Sequence, residues 1–217
     1  MSAPVGPTGC EVERARERNL RLGASFAHTA SSLRFDGEAD YDLTQQAALA
    51  TLAGALGERT MLQLSLGAVL GGDLSGERRS YDVEPGVVAG LVLAHRFFGA
   101  QEHEPFVTTS IGYSMSFARS RERTGAREGA ALSASDARLG ALVGVTLWRT
   151  WVPYTAARFF AGPVLWEQDG LERTGSDRHH YAIGAGSTVM LNDRTSLTVD
   201  GSVLGERTLA FALSAAF

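Results

Sequence analysis

The chain has 217 residues, 44% of them hydrophobic, and a formal net charge of −4 at neutral pH. That balance gives no reason to expect nucleic-acid binding, and no stretch approaches the roughly 18 to 20 consecutive apolar residues a membrane-spanning helix needs. Twenty-five glycines argue against a helix-rich domain, since glycine is costly inside helices, and the single cysteine, Cys10, excludes an intramolecular disulfide.

Residues 1–18 form a polar tail without periodicity. Thr8-Gly9-Cys10 has the ending of a lipoprotein processing site, but the apolar segment that should precede it is absent, so Cys10 reads as a plain tail cysteine. The first expected strand, about Asn19 to Ser32, alternates Leu20, Leu22, Ala24 and Phe26 with Arg21, Gly23, Ser25 and Ala27. A second runs from about Thr44 to Leu56; its Ala-Leu content also suits a short helix from Leu43, and strand is preferred. Gly57 to Thr60 turns the chain into Met61 to Leu70, where Leu62, Leu64, Leu66, Ala68 and Leu70 share one face.

A fourth strand is expected over Val87 to Phe98, and a fifth over Phe106 to Phe117, with Ile111, Tyr113, Met115 and Phe117 opposing Ser110, Gly112, Ser114 and Ser116. The sixth covers Ala137 to Trp148. The seventh, Tyr154 to Trp166, is less regular, with Pro163 breaking its ladder. Tyr181 to Leu191 and Ser196 to Val203 follow.

The last segment, Leu209 to Phe217, puts Leu209, Phe211, Leu213, Ala215 and Phe217 on one face and Ala210, Ala212, Ser214 and Ala216 on the other. A greasy face opposite a face of small residues is how a lipid-facing strand looks. This ending resembles the C-terminal signature of bacterial outer-membrane β-barrel proteins. The resemblance implies that Leu209, Phe211, Leu213 and Phe217 form an insertion signal read by the barrel-assembly machinery.

Connection lengths agree with such a barrel, which has short periplasmic turns and longer outer loops. Gly57 to Thr60, Gly99 to Pro105, Arg149 to Pro153 and Asn192 to Thr195 are short; Arg34 to Leu43, Gly71 to Gly86, Ala118 to Asp136 and Glu167 to His179 are long. Aromatic residues gather at strand ends, with Phe97, Phe98, Phe106, Trp148, Trp151, Tyr154 and Phe217 below and Phe117, Trp166 and Tyr181 above, as interfacial girdles require. The expected fold is all-β: a closed antiparallel up-and-down transmembrane β-barrel of about ten strands, eight being the alternative, over residues 19–217. Residues 1–18 become a periplasmic tail, and the absent secretory leader marks a mature chain with an added Met. A soluble barrel is the competing fold, but its outer face would carry solvated charges rather than Gly, Ser, Ala and Thr.

Alternation places Arg21, Gln63, Arg96, Arg138, Arg158 and Asp200 on the lumen face, as a salt-bridged filling or as the lining of a narrow, anion-favouring pore. The outer loops mix Arg with Glu, and Arg suits the phosphates of outer-membrane lipids and lipopolysaccharide. Asp177-Arg-His179-His180 and Asp40-Tyr-Asp42 loosely resemble the Asp-His and Asp pairs of omptin proteases, although omptins are longer and place the Asp pair in a later loop. Adjacent His179 and His180 point apart in a strand, so no metal site is expected, and no cofactor motif is present. The reading is a non-enzymatic outer-membrane barrel, either a narrow passive pore for ions or small solutes or a structural or surface-interaction protein. The alternatives are an enzyme with a site at the outer rim and a soluble ligand-binding barrel.

Overall fold

Strands that alternate over ten or more residues satisfy their backbone groups in lipid only if the sheet closes on itself. The computed structural model, described for residues 20–36, 40–77, 79–98, 103–123, 129–168 and 171–217, has this closure. The tail with Cys10 and parts of the outer connections, including Arg78, Arg127 and Glu128, lie outside the described residues.

In chain order the strands are β1 (Leu20–Phe35), β2 (Asp40–Ala55), β3 (Thr60–Gly76), β4 (Ser80–Val83), β5 (Gly86–Phe98), β6 (Pro105–Glu122), β7 (Ala130–Val145), β8 (Trp151–Ala161), β9 (Pro163–Gln168), β10 (Leu171–Asp177), β11 (Tyr181–Met190), β12 (Thr195–Gly205) and β13 (Arg207–Ala216). Thirteen segments make ten walls, because β4 and β5, β8 and β9, and β10 and β11 are each one wall interrupted. The second segment is strand rather than helix, and the seventh wall breaks at Gly162, just before Pro163, without a change of register.

At its periplasmic end the barrel is a closed antiparallel ring of ten: β1, β2, β3, β5, β6, β7, β8, β11, β12, β13, and back to β1. At the outer end it is a ring of eight. The β12–β13 hairpin stops at Glu206, and above it β10 pairs directly with β1, Leu33 opposite Asp177 and Phe35 opposite Gly175. Both strand numbers are therefore present, at different heights.

The long outer connections are mostly strand. β1 and β2 continue to Phe35 and from Asp40, β6 to Glu122, and β9 and β10 cover most of the 167–179 segment. In these extensions the facing is reversed. Below, Leu22, Phe26, Leu64, Ile111 and Phe211 point outward to form the lipid-facing belt, and polar residues point in. Above, Leu33, Phe35, Tyr41, Leu43, Leu74, Tyr81, Val83, Leu132, Val164 and Trp166 form a buried core, while Ser32, Arg34, Asp42, Asp73 and Asp82 face out. β3 achieves the switch with a bulge: the register slips at Leu70, so that Leu74 and not Asp73 points inward.

The girdle assignment needs three corrections. Phe97, Phe98, Trp148, Trp151, Phe217, Phe117 and Tyr181 face outward, but Phe106, Tyr154 and Trp166 are buried inside. Their even numbers put them in phase with the lumen positions of β6, β8 and β9.

Candidate functional site

The lower lumen is where alternation concentrates polar side chains. Arg21 on β1, Gln63 on β3, Arg96 on β5 and Asp200 on β12 are buried on the inner face, and Arg138 on β7 and Arg158 on β8 point the same way at intermediate burial. The structure sorts several of these residues into two networks.

In the first, the Arg158 guanidinium donates to both Asp200 carboxylate oxygens at 2.8 Å, and the Tyr154 hydroxyl donates to the same carboxylate at 2.9 Å. Asp200 is only 1% exposed, so this pairing offsets a desolvation that would otherwise neutralise it. Tyr154 has room because the neighbouring wall position is Gly186, where a Cβ would strike its ring.

In the second, Arg138 Nε donates to Asp136 at 2.7 Å, a terminal nitrogen lies 3.7 Å from Glu206, and the guanidinium carbon stands 5.2 Å over the Phe160 ring. The Ser114 hydroxyl donates to Asp136 from β6, and Asp177 contributes to the field at Arg138. Arg21 is tied to Ser214, which shares a 2.7 Å hydrogen bond with Ser196.

Asp136, Asp177, Glu206 and Tyr154 are the members that alternation alone did not single out. Asp136 was recoverable, since it lies two residues from Arg138 on the same strand face. Glu206 was not: it belongs to a turn, where parity fails. Gly205 has φ +75° and a Cβ there would collide with the Tyr181 carbonyl, so the turn is fixed in the form that sends Glu206 inward. With them, the inner face carries four arginines and four carboxylates, of which Arg138 and Arg158 meet Asp136, Glu206 and Asp200 directly.

Above these networks Trp166 fills the lumen. It is 0% exposed, its ring lies 4.8 Å from Tyr81 and 5.3 Å from both Phe35 and Tyr41, and its Nε1 donates to Ser120 at 2.8 Å. Those partners sit on β1, β2, β4 and β6, so one side chain on β9 spans the eight-stranded ring, whose interior is just wide enough for side chains to fill.

At the rim, Asp40 and Asp42 face outward. Asp40 accepts from Arg34 at 2.9 Å and Arg178 at 3.0 Å, and Asp42 accepts from Ser32 at 2.6 Å. Asp177 points into the lumen, and His179 and His180 are exposed. The residues of the omptin-like pairs are thus on opposite sides of the wall. Arg34 and Arg178 hold the Asp40 carboxyl below its ordinary range, the hydrogen bond from Arg34 being the largest cause. On β13, Leu209, Phe211 and Leu213 face outward with Phe217 beyond them, and the Phe217 amide donates to the Leu20 carbonyl at 3.0 Å.

A polar inner face backed by an outward apolar belt on the same strands, in a closed antiparallel ring, defines a transmembrane β-barrel. No protein-family model and no curated protein sequence matches the chain. Solved structures do. The outer membrane protease OmpT from Escherichia coli is 9% identical over 92% of this chain and 97% of its own, with a TM-score of 0.55. The transport unit of the autotransporter AIDA-I from Escherichia coli is 11% identical over 93% and 91%, with a TM-score of 0.54. The translocator domain of the autotransporter NalP from Neisseria meningitidis is 13% identical over 92% and 88%, with a TM-score of 0.53. At such identities the likeness is one of fold, and the fold is that of a small bacterial outer-membrane β-barrel protein.

Proposed function

We propose that the chain is a non-enzymatic outer-membrane barrel closed to solute flow, a structural or surface-interaction protein that works through the part standing above the membrane. The observation that carries this reading is the Trp166 core. A wet path needs a continuous row of polar positions from mouth to mouth, and here the row ends under Leu33, Tyr41, Leu74, Tyr81 and Trp166. The salt bridges below hold the wall strands to one another and suit a filling more than a conduit.

The three similar structures are a protease, the transport unit of one autotransporter and the translocator domain of another, and those activities belong to those proteins. A rim hydrolase here would need Asp40 or Asp42 and Asp177 to act together, and they face opposite ways. The narrow anion pore is the second reading, supported by Arg21, Arg96, Arg138 and Arg158 on the lower inner face. Single-channel recording of the refolded full chain in a planar bilayer separates the two. The expected result is an inserted, heat-modifiable barrel without discrete conductance steps. Anion-selective steps that change on Arg96→Ala or Arg138→Ala would overturn the closed reading.

A further inference from the structure

Where the ten-stranded ring becomes eight-stranded, acidic and basic neighbours separate across the wall. Asp177 and Glu206 point into the lumen, whereas the residues that follow them, Arg178 and Arg207, point out. Both arginines border the same edge of β1: Arg207 lies opposite Ala30, and the Arg178 amide donates to the Ser32 carbonyl two residues further up. His179 and His180 continue the exposed surface beside them, and His28, opposite Leu209, lies diagonal to Arg207 on it. Asp40 takes Arg178. The outer face of this junction therefore gathers Arg207, His179, His180 and His28; Asp177 and Glu206 are turned inward, and the outward carboxylates one strand away on β2 are engaged, Asp40 by Arg34 and Arg178 and Asp42 by Ser32.

Directly below, the wall is unusually apolar. The β11–β12 register slips between Ile183 and Gly184, leaving Val203 as the extra residue of a bulge. The bulge turns two consecutive side chains outward, so Val203 is 72% exposed and Leu204 55%. Leu209 and the Tyr181 ring, whose centroid is 6.1 Å from that of His179, complete this shelf.

We propose that the junction binds a phosphate-bearing lipid of the outer leaflet, its acyl chains lying along Val203, Leu204 and Leu209 and its phosphate held by Arg207, His179 and His180. Apolar chains below and an anion above match the shelf and the cationic rim in the order in which the wall presents them. The proposal rests on the outer-membrane reading and not on whether the lumen conducts. The test is native mass spectrometry of the full chain in detergent, at neutral pH, with diphosphorylated lipid A as probe and its dephosphorylated form as comparison. The expected result is one retained lipid A, weakened at least about tenfold in Arg207→Ser/His179→Ser, which removes two of the three phosphate contacts, with Arg121→Ser on β6 unchanged. Val203→Ser/Leu204→Ser is expected to weaken retention as well. Equal retention of the two lipids, or no loss in the Arg207 and His179 variant, overturns the proposal. Displacement by millimolar inorganic phosphate also overturns it, by making the site one for the free anion.

Discussion

Arg138 and Glu206 meet inside the barrel at 3.7 Å, joining the middle of β7 to the turn of the β12–β13 hairpin. The contact lies where ten strands give way to eight. β12 and β13 end there, and β10 comes down to β1 with Asp177 at its tip. One guanidinium thus faces carboxylates from β7, from the β12–β13 turn and from β10.

Removing that cation should be costly. Arg138→Met leaves Asp136, Asp177 and Glu206 facing one another in a desolvated lumen, and breaking a buried pair by deleting one partner typically costs about 3–5 kcal/mol. The expected outcome is a large drop in the urea midpoint of the barrel refolded in lipid. Adding Asp136→Asn and Glu206→Gln to Arg138→Met should restore much of the loss, since neutral groups of the same shape carry no uncompensated charge. If Arg138→Met alone moves the midpoint by less than about 1 kcal/mol, the network is solvated and does not hold the junction.

Trp166 should be both a structural keystone and a spectroscopic marker. Trp166→Ala removes a fully buried ring from the upper core, an expected loss of about 3–5 kcal/mol. The other two tryptophans, Trp148 and Trp151, face outward near the periplasmic end. In a Trp148→Phe/Trp151→Phe background, which removes the two girdle tryptophans that lipid can shield, the remaining emission of Trp166 should resist quenching by acrylamide. Emission that is fully quenchable in that variant would mean that the outer lumen is open to water.

The lower wall was legible in the sequence because lipid demands an apolar side chain at every second position, and Leu209, Phe211 and Leu213 or Ile111, Tyr113 and Met115 supply it. The outer half was harder. Along β1 the apolar residues move from Leu20, Leu22 and Phe26 to Leu33 and Phe35, that is from even to odd numbers, and a rule that sought lipid-facing residues took the change of phase for the end of the strand. The same change put Trp166 in a girdle when it belongs to a core. The junction was beyond the reach of pattern. Gly-Glu-Arg-Thr occurs at Gly57 to Thr60 and again at Gly205 to Thr208. In the first copy Arg59 bonds the Phe97 carbonyl at the periplasmic end; in the second Glu206 is buried against Arg138. Identical tetrapeptides differ because the pairing around each turn differs.

The β7–β8 connection carries two consecutive residues in the left-handed region, Trp148 at φ +50° and Arg149 at φ +56°. Two such residues make the mirror-image turn that suits a tight hairpin, but a side chain there costs about 1–2 kcal/mol relative to glycine. Trp148 recovers part of this by stacking on Trp151, the centroids 6.0 Å apart and the planes 14° from parallel. Arg149 is exposed. Arg149→Gly relieves the backbone strain but forfeits the interaction that the arginine makes, so it should leave the fold unchanged and raise the urea midpoint by the equivalent of at most about 1 kcal/mol, while Trp148→Gly should gain less because it forfeits the stacking. A lowered midpoint in Arg149→Gly would show that the arginine makes a contact worth more than the backbone strain.

At the outer rim the pH response follows from Asp40. Its carboxyl is held below its ordinary range, first by the hydrogen bond from Arg34 and then by the charges of Arg34 and Arg178. A carboxylate whose pKa is lowered on folding adds stability that is present above its unfolded value, about 3.9, and is lost as the pH falls through the lower folded value. The link it makes between β1, β2 and the segment after β10 should thus be intact at neutral pH and released only in strong acid. Carbon-13 NMR of the Asp40 carboxyl should give a midpoint below that of a free aspartate, moving back toward it in Arg34→Ala. Arg178→Ala should move it less, since Arg178 contributes the smaller share. A midpoint at the ordinary value in the unmodified chain would mean that the Arg34 contact does not persist in solution.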